Sequence, residues 1–183
     1  MTPAAIPYDG NTVSKILDAI TSAARLAEEV IRSGAARRTG LVWQSKGYAD
    51  YVTEIDTSAQ AVIQQELSSA LSSDFPDLRV LGEESWRDEP LPRELAFVVD
   101  PLDGTTNFLH GVPVYSVSIA AIYEASPFIG VVLDIPHGEL FSAVRGFGAR
   151  VNGVPIGVSD ISDPSRALIG TGFPFGAHAD VAR

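Results

Sequence analysis

Cysteine is absent from the chain, which rules out disulfides and thiolate metal sites and gives no support to a secreted disulfide scaffold. Long apolar runs are missing too. No stretch approaches the roughly 20 consecutive apolar residues that cross a bilayer, so no membrane partner is expected. The first ten residues, MTPAAIPYDG, lack a basic segment followed by an apolar one, and no signal peptide is read from them. Positive charge is scarce: 13 Lys and Arg stand against 23 Asp and Glu, a net charge of −10. That balance argues against a nucleic-acid partner, which would require a basic face. It leaves room for small anionic substrates, because bound divalent cations invert a local field. The three histidines, His110, His137 and His178, fall in turn or loop contexts without ligand-like spacing. A cytoplasmic chain is the default expectation. Its 183 residues, 45% hydrophobic and 20% charged, suffice for one ordinary domain with a real core.

Two prolines and a glycine make residues 1–10 a loose arm, and residues 11–183 read as the domain. From Thr12, Val13, Ile16, Leu17, Ile20, Ala23, Ala24, Ala27, Val30 and Ile31 recur at three- and four-residue steps. That spacing predicts an amphipathic helix, with Ser33-Gly34 as its stop. Arg37–Gly47 reads as a basic loop, in which Lys46 is either a solvated charge or a group facing a site. Thr53 has the form of an N-cap for a second helix reaching about Ser72. Asp56 then either caps that helix or serves a site. Leu78–Leu81 reads as a strand running into Gly82-Glu83-Glu84-Ser85, acids that are solvated or functional. Strands are expected over Pro113–Tyr123, Phe128–Ile135, Leu140–Val144 and Leu168–Thr171, with a hairpin around Val151–Pro155. The fold class is α+β: two N-terminal helices packed on a mostly antiparallel sheet.

The chemistry concentrates in Phe97–His110, FVVDPLDGTTNFLH. An apolar run delivers Asp100 and Asp103, with Pro101 between them and Gly104 after. Two carboxylates forced together repel unless a proton or cation sits between them. Hard oxygen donors suit Mg²⁺, Mn²⁺ or Ca²⁺. A Gly-Thr-Thr turn just beyond adds backbone N–H groups that suit phosphate. If the strand ending at Glu83 neighbours the strand ending at Asp100 and Asp103, the three acids and the Leu102 carbonyl could hold Mg²⁺. Thr105 could then hold an attacking water with Glu83 as its base, and the amides of Gly104, Thr105 and Thr106 could hold phosphate oxygens. The D-x-D-G-T pattern of the haloacid-dehalogenase superfamily is a near miss, since Pro101 stands where its nucleophile belongs. An EF-hand is rejected for want of alternating acids.

Asp100-Pro101-Leu102-Asp103-Gly104-Thr105-Thr106-Asn107-Phe108 resembles the signature of the inositol monophosphatases, metal-dependent and lithium-sensitive sugar phosphatases. Gly82-Glu83-Glu84-Ser85 resembles their glutamate motif, and Lys46, Asp50, Val52-Thr53 and Asp56 their N-terminal element. Gly146-Phe147-Gly148-Ala149, Asn152-Gly153 and Thr171-Gly172-Phe173-Pro174 also occupy expected places. The resemblance implies the N-terminal half of a layered αβαβα fold. It implies Mg²⁺-dependent hydrolysis of inositol 1-phosphate or a related sugar or polyol phosphate, and a homodimer by analogy. Glu83, Asp100, the Leu102 carbonyl and Asp103 would bind metal. Glu83 and Thr105 would activate water, with Asp56 at the edge of the metal site. Asp103, Gly104, Thr105 and Thr106 would cradle phosphate, with Lys46 facing them. Family members run longer, and a further α/β portion carries a tryptophan-aspartate motif that completes a second metal site. Neither Trp43 nor Trp86 precedes an aspartate here. The alternative expectation is therefore a catalytically impaired fragment that only binds metal or phosphate.

Overall fold

The computed structural model describes residues 6–41, 43–47, 50–82, 86 and 90–170; for 39, 43–47 and 50–52 it describes the backbone alone. Helix α1 (Gly10–Ala36) begins where the Asp9 carboxylate accepts from the Thr12 amide at 2.8 Å. A 3-10 turn over Arg38–Gly40 leads into a two-stranded antiparallel sheet, β1 (Trp43–Gly47) and β2 (Asp50–Thr53). Helix α2 (Glu54–Leu71) follows at once, with Thr53 as its N-cap. The expected basic loop is thus partly a strand. Its ladder is made with residues after it, and single-segment periodicity does not show that partner.

The main sheet has seven strands in sequence order: β3 (Arg79–Gly82), β4 (Ala96–Asp103), β5 (Ser116–Tyr123), β6 (Ser126–Asp134), β7 (Glu139–Val144), β8 (Gly148–Val151) and β9 (Val154–Ile156). Only the β3–β4 pair is parallel among them; the others form an antiparallel meander. Short helix α3 (Thr105–His110) interrupts the sheet between β4 and β5. The first meander strand starts at Ser116, three residues later than expected, and β6 starts early enough to include Pro127, which falls at a shift of register where a missing N–H is tolerated. Of the strand expected over Leu168–Thr171, residues 168–170 form none and Thr171 lies outside the described residues; Leu168 is fully exposed, with no neighbouring strand to ladder against among the described residues.

Both long helices lie on one face of this sheet. Ile16, Ile20 and Ile31 of α1 and Ile55, Ile63 and Leu67 of α2 pack into one core with Phe97, Val117, Ile119 and Val131 of the strands. Each such side chain, fully buried, contributes roughly 1.5–3 kcal/mol. The opposite face is open. Val132, Phe141 and Val154, in one row with Val151 across β6 to β9, stay exposed. No described helix is long and apolar enough to cross a membrane.

Candidate active site

Three segments meet at the C-terminal end of β4. The first is β4 itself. Asp100 and Asp103 are three positions apart, which on a regular strand sends side chains to opposite faces. The β4–β5 pairing corrects this. Asp100 pairs with Ser118 and Asp103 with Ser116, so one extra residue in β4 forms a bulge between the two acids. Their partners are two apart, and the acids are returned to one side. Pro101 and Leu102 are buried in the bulge, Asp100 is half-buried and Asp103 exposed. The Leu102 amide donates to Asp100 Oδ1 at 3.2 Å, and Ser116 Oγ approaches Asp103 Oδ2 at 3.5 Å.

The second segment is the N-terminus of α2. Asp56, 5% exposed, closes a capping box. Its Oδ2 accepts from the Thr53 amide at 2.9 Å and from Thr53 Oγ1 at 2.5 Å, while Thr53 Oγ1 accepts from the Ile55 amide at 3.1 Å. The third segment is α3. Gly104 precedes it with φ +86°, and a Cβ there would stand 2.8 Å from the Val114 carbonyl oxygen, so glycine is required. The helix's own ladder starts with the Phe108 amide donating to the Gly104 carbonyl at 2.9 Å, which leaves the Thr105 amide outside it.

Thr105 joins the segments. Its Oγ1 lies 2.9 Å from Asp56 Oδ1 and 2.9 Å from the Leu102 carbonyl oxygen. A threonine hydroxyl has one proton, and both neighbours are acceptors. One of these two close oxygen–oxygen approaches therefore has no hydrogen in it unless a cation or a further proton sits nearby. An oxygen-only set crowded in this way has the chemistry that hard divalent ions select. No group of three His, Asp or Glu side chains suited to a metal occurs among the described residues.

Of the acids expected at the site, Glu83 lies outside the described residues. The strand that precedes it in sequence, β3, is the parallel neighbour of β4, and Gly82 pairs with Val99, one residue before Asp100. The adjacency of strands that the sequence argument required is therefore present. Lys46 belongs to β1, where only the backbone is described. Asp56, Asp100, Leu102 and Thr105 are joined by one run of close polar contacts. Thr106 lies in the first turn of α3. A cleft of about 280 Å³ opens beside Asp100, lined by Leu81, Gly82, Trp86, Val98, Ser118 and Ala120. Sequence reasoning missed α3, whose six residues are too few for periodicity to reveal. The structure has Thr53 as the N-cap and Asp56 in the capping box, as the sequence offered; what the sequence did not reveal is the bond that the Thr53 hydroxyl donates to the Asp56 carboxylate.

Residues 12–183 match the sequence profile of the inositol monophosphatase family. The chain belongs to that family. It is 39% identical over 163 residues to Nus factor SuhB of Pasteurella multocida, covering 89% of this chain and 60% of that protein. It is 39% identical over 163 residues to inositol monophosphatase 3 of Solanum lycopersicum, covering 87% and 59%. A solved structure titled as IMPase/NADP phosphatase complexed with Mg²⁺ and phosphate resembles it with a TM-score of 0.64 at 30% identity, over 79% of this chain and 53% of the other. The chain thus spans about 60% of the length of the curated relatives it matches.

Proposed function

We propose that the chain is the Mg²⁺-binding part of a phosphomonoester hydrolase that acts on inositol 1-phosphate or a related sugar or polyol phosphate. The observation that supports this reading is the oxygen cluster around Thr105, set against two acids aligned by the β4 bulge. Overall identity does not choose between a phosphatase and a protein with another role, since differently named relatives are equally identical. The site chemistry does favour one.

Asp100, the Leu102 carbonyl and Asp103 would hold the ion, together with Glu83. When bound, Mg²⁺ supplies Lewis acidity toward phosphate oxygens and lowers the pKa of water. The rest falls to the chain. Asp56, fixed by Thr53, holds the Thr105 hydroxyl and so aims its remaining lone pair at the proton of an attacking water. Glu83 receives that water's other proton. The amides of Gly104, Thr105 and Thr106, beside the Asp103 carboxylate, orient the phosphate, and Lys46 adds positive charge facing it.

Full-length chain assayed with inositol 1-phosphate should release phosphate only when Mg²⁺ is present, and Asp100→Asn and Asp103→Asn should each abolish that release. The span of about 60% of its relatives favours a second reading, a metal- and phosphate-binding module. Mg²⁺ binding by calorimetry without turnover would decide for that module. Neither binding nor turnover would overturn both readings.

A further inference from the structure

We infer that Arg38, which belongs to none of the site's motifs, is a positioning residue for it: its guanidinium clamps α3 and thereby sets where Thr105 points. With six residues, α3 is far shorter than the roughly 12–15 that an isolated helix needs to hold itself together in water. Its pose is set by what touches it. At its N-terminal end the contacts are those of Thr105 with Asp56 and Leu102. Midway, Asn107 Nδ2 donates to the Val114 carbonyl at 2.8 Å. At the far end sits Phe108, fully buried, three residues after Thr105 and therefore on the same side of the helix.

Phe108 is gripped by two groups. Tyr115 meets it edge-on, with centroids 5.4 Å apart and planes at 85°. Arg38 reaches across from the turn after α1 and places its Cζ 5.3 Å from the ring centroid, within the range of a cation–π contact. The same guanidinium lies against the helix's C-cap. A Cβ on Gly111, at φ +73°, would stand 2.8 Å from Arg38 Nη1. Arg38 Nε is buried and has no hydrogen-bond partner among the described residues. A methionine or leucine would fill this space without burying an unpaired N–H, so packing alone is a poor account of arginine here. A planar cation lying over the ring and against a glycine cap fixes both the tilt and the depth of α3.

The kinetic part of the test rests on the hydrolase reading; the spectroscopic part does not. Arg38→Ala, Arg38→Met and Arg38→Lys are compared with wild type in the full chain. The readouts are the Thr105 γ-methyl resonance in threonine-labelled protein, thermal melting, and kcat and KM for inositol 1-phosphate with Mg²⁺. The expected result is a shifted Thr105 methyl resonance in Arg38→Ala and Arg38→Met. With it comes a kcat reduced about 10- to 100-fold, as sub-ångström to ångström misplacement produces, while KM stays within about twofold. Arg38→Lys, which keeps the cation, should recover part of both. If wild type proves inactive, the hydrolase reading fails alone and the methyl resonance still decides on Arg38. If Arg38→Ala does not fold, the Met and Lys variants decide. A Thr105 resonance that stays in place in folded variants, or a lowered melting temperature with unchanged kcat per folded molecule, overturns the inference.

Discussion

Replacing Asp56 by asparagine should leave the metal-free protein as stable as wild type, or more so, whereas replacing it by alanine should be severe. The argument is one of proton counting. In the native site Asp56 Oδ2 takes two hydrogen bonds from Thr53, and Oδ1 faces a Thr105 hydroxyl whose single proton the Leu102 carbonyl also needs. In Asp56→Asn the amide oxygen can keep both Thr53 bonds, and the new NH₂ can donate to Thr105 Oγ1. The Thr105 proton is then released to Leu102, and every group in the cluster has a partner. A buried charge is removed as well. The net change should lie within about 1 kcal/mol of zero, because one hydrogen bond gained is worth about that. Asp56→Ala instead removes the N3 half of a capping box, worth about 1 kcal/mol. That half is the bond from the buried Thr53 amide; the Thr53 hydroxyl loses its acceptor too, at about 1–3 kcal/mol for each group left unsatisfied, while Thr105 keeps the Leu102 carbonyl. Taken together the alanine variant should lose about 2–6 kcal/mol, a fall in Tm of roughly 4–24 °C for a chain of this size.

Calorimetric melts in chelator, then in excess Mg²⁺, separate these cases. In Mg²⁺ the wild type should gain stability as the free ion exceeds its Kd, by about 2.7 kcal/mol at a hundredfold excess. Both variants should gain less, since the acidic oxygen is gone. Equal losses for the asparagine and alanine variants in chelator would refute the reasoning. That outcome would mean that the Asp56 charge, rather than the count of donors, holds the junction together.

Two further outcomes are expected. Gly34, buried in α1, faces α2 so closely that an added Cβ would stand 2.6 Å from Ile55 Cδ1; Gly34→Ala should therefore destabilise by about 1–3 kcal/mol through overpacking, offset by up to about 1 kcal/mol of helix propensity. Combined with Ile55→Val, which shortens the opposing side chain, the loss should be smaller than the sum of the single losses, and thermal melts that add up instead would count against it. For pH, partial burial raises the Glu28 carboxyl, but hydrogen bonds from Arg25 and Arg32 and their charges outweigh it and leave it below its usual value of 4.5. A carboxyl depressed in the folded state stabilises above its unfolded pKa and loses that contribution as pH falls through the folded one. Acid melts from pH 6 to pH 3 should thus show a steeper loss for wild type than for Glu28→Gln, and parallel curves would speak against the pairing.

The helices were legible because their stripes are long. Ile16 through Ile31 and Ala59 through Leu67 repeat for several turns, and the stripes are buried except at their margins, where Leu17, Val30 and Val62 are half-buried. The β-meander was legible because its turns carry Gly, Pro and Asn between alternating apolar residues. The site was legible as a motif but not as geometry. Asp100 and Asp103 read as a converging pair, yet their odd spacing would separate them on a regular strand, and only the bulge against Ser116 and Ser118 reunites them. A bulge is a property of two strands, so one strand's sequence does not reveal it. Asp56 read either as a cap or as a site residue. One of its oxygens serves the cap and the other faces Thr105, so the two readings coexist in one carboxylate. Strand β1 stayed hidden because its polar residues find their ladder in β2, and Leu168–Gly170 looked like a strand only because apolar content was taken for pairing.

The placement of Thr105 has a consequence for how metal binding and folding are linked. Asp56 is anchored in the helix layer by a capping box, Leu102 in the sheet by its burial, and Thr105 in a helix too short to stand alone. The hydroxyl that spans them lacks the protons to satisfy both acceptors. Without a cation, the junction of the two layers is therefore a poorly compensated place in the native structure. Local opening should start there rather than in the Ile- and Leu-rich interior, because opening frees a charged oxygen to water and exposes little apolar surface. With a cation bound by Asp100, Asp103 and the Leu102 carbonyl, as proposed, that carbonyl would turn to the ion, the Thr105 proton would be left to Asp56, and relief of the crowding would add to affinity. Amide exchange of Thr105 and Phe108 should then slow on adding Mg²⁺ far more than exchange of Ile119 or Val131 in the core. Equal slowing at all four positions would show that the ion stabilises the domain globally and not through this junction.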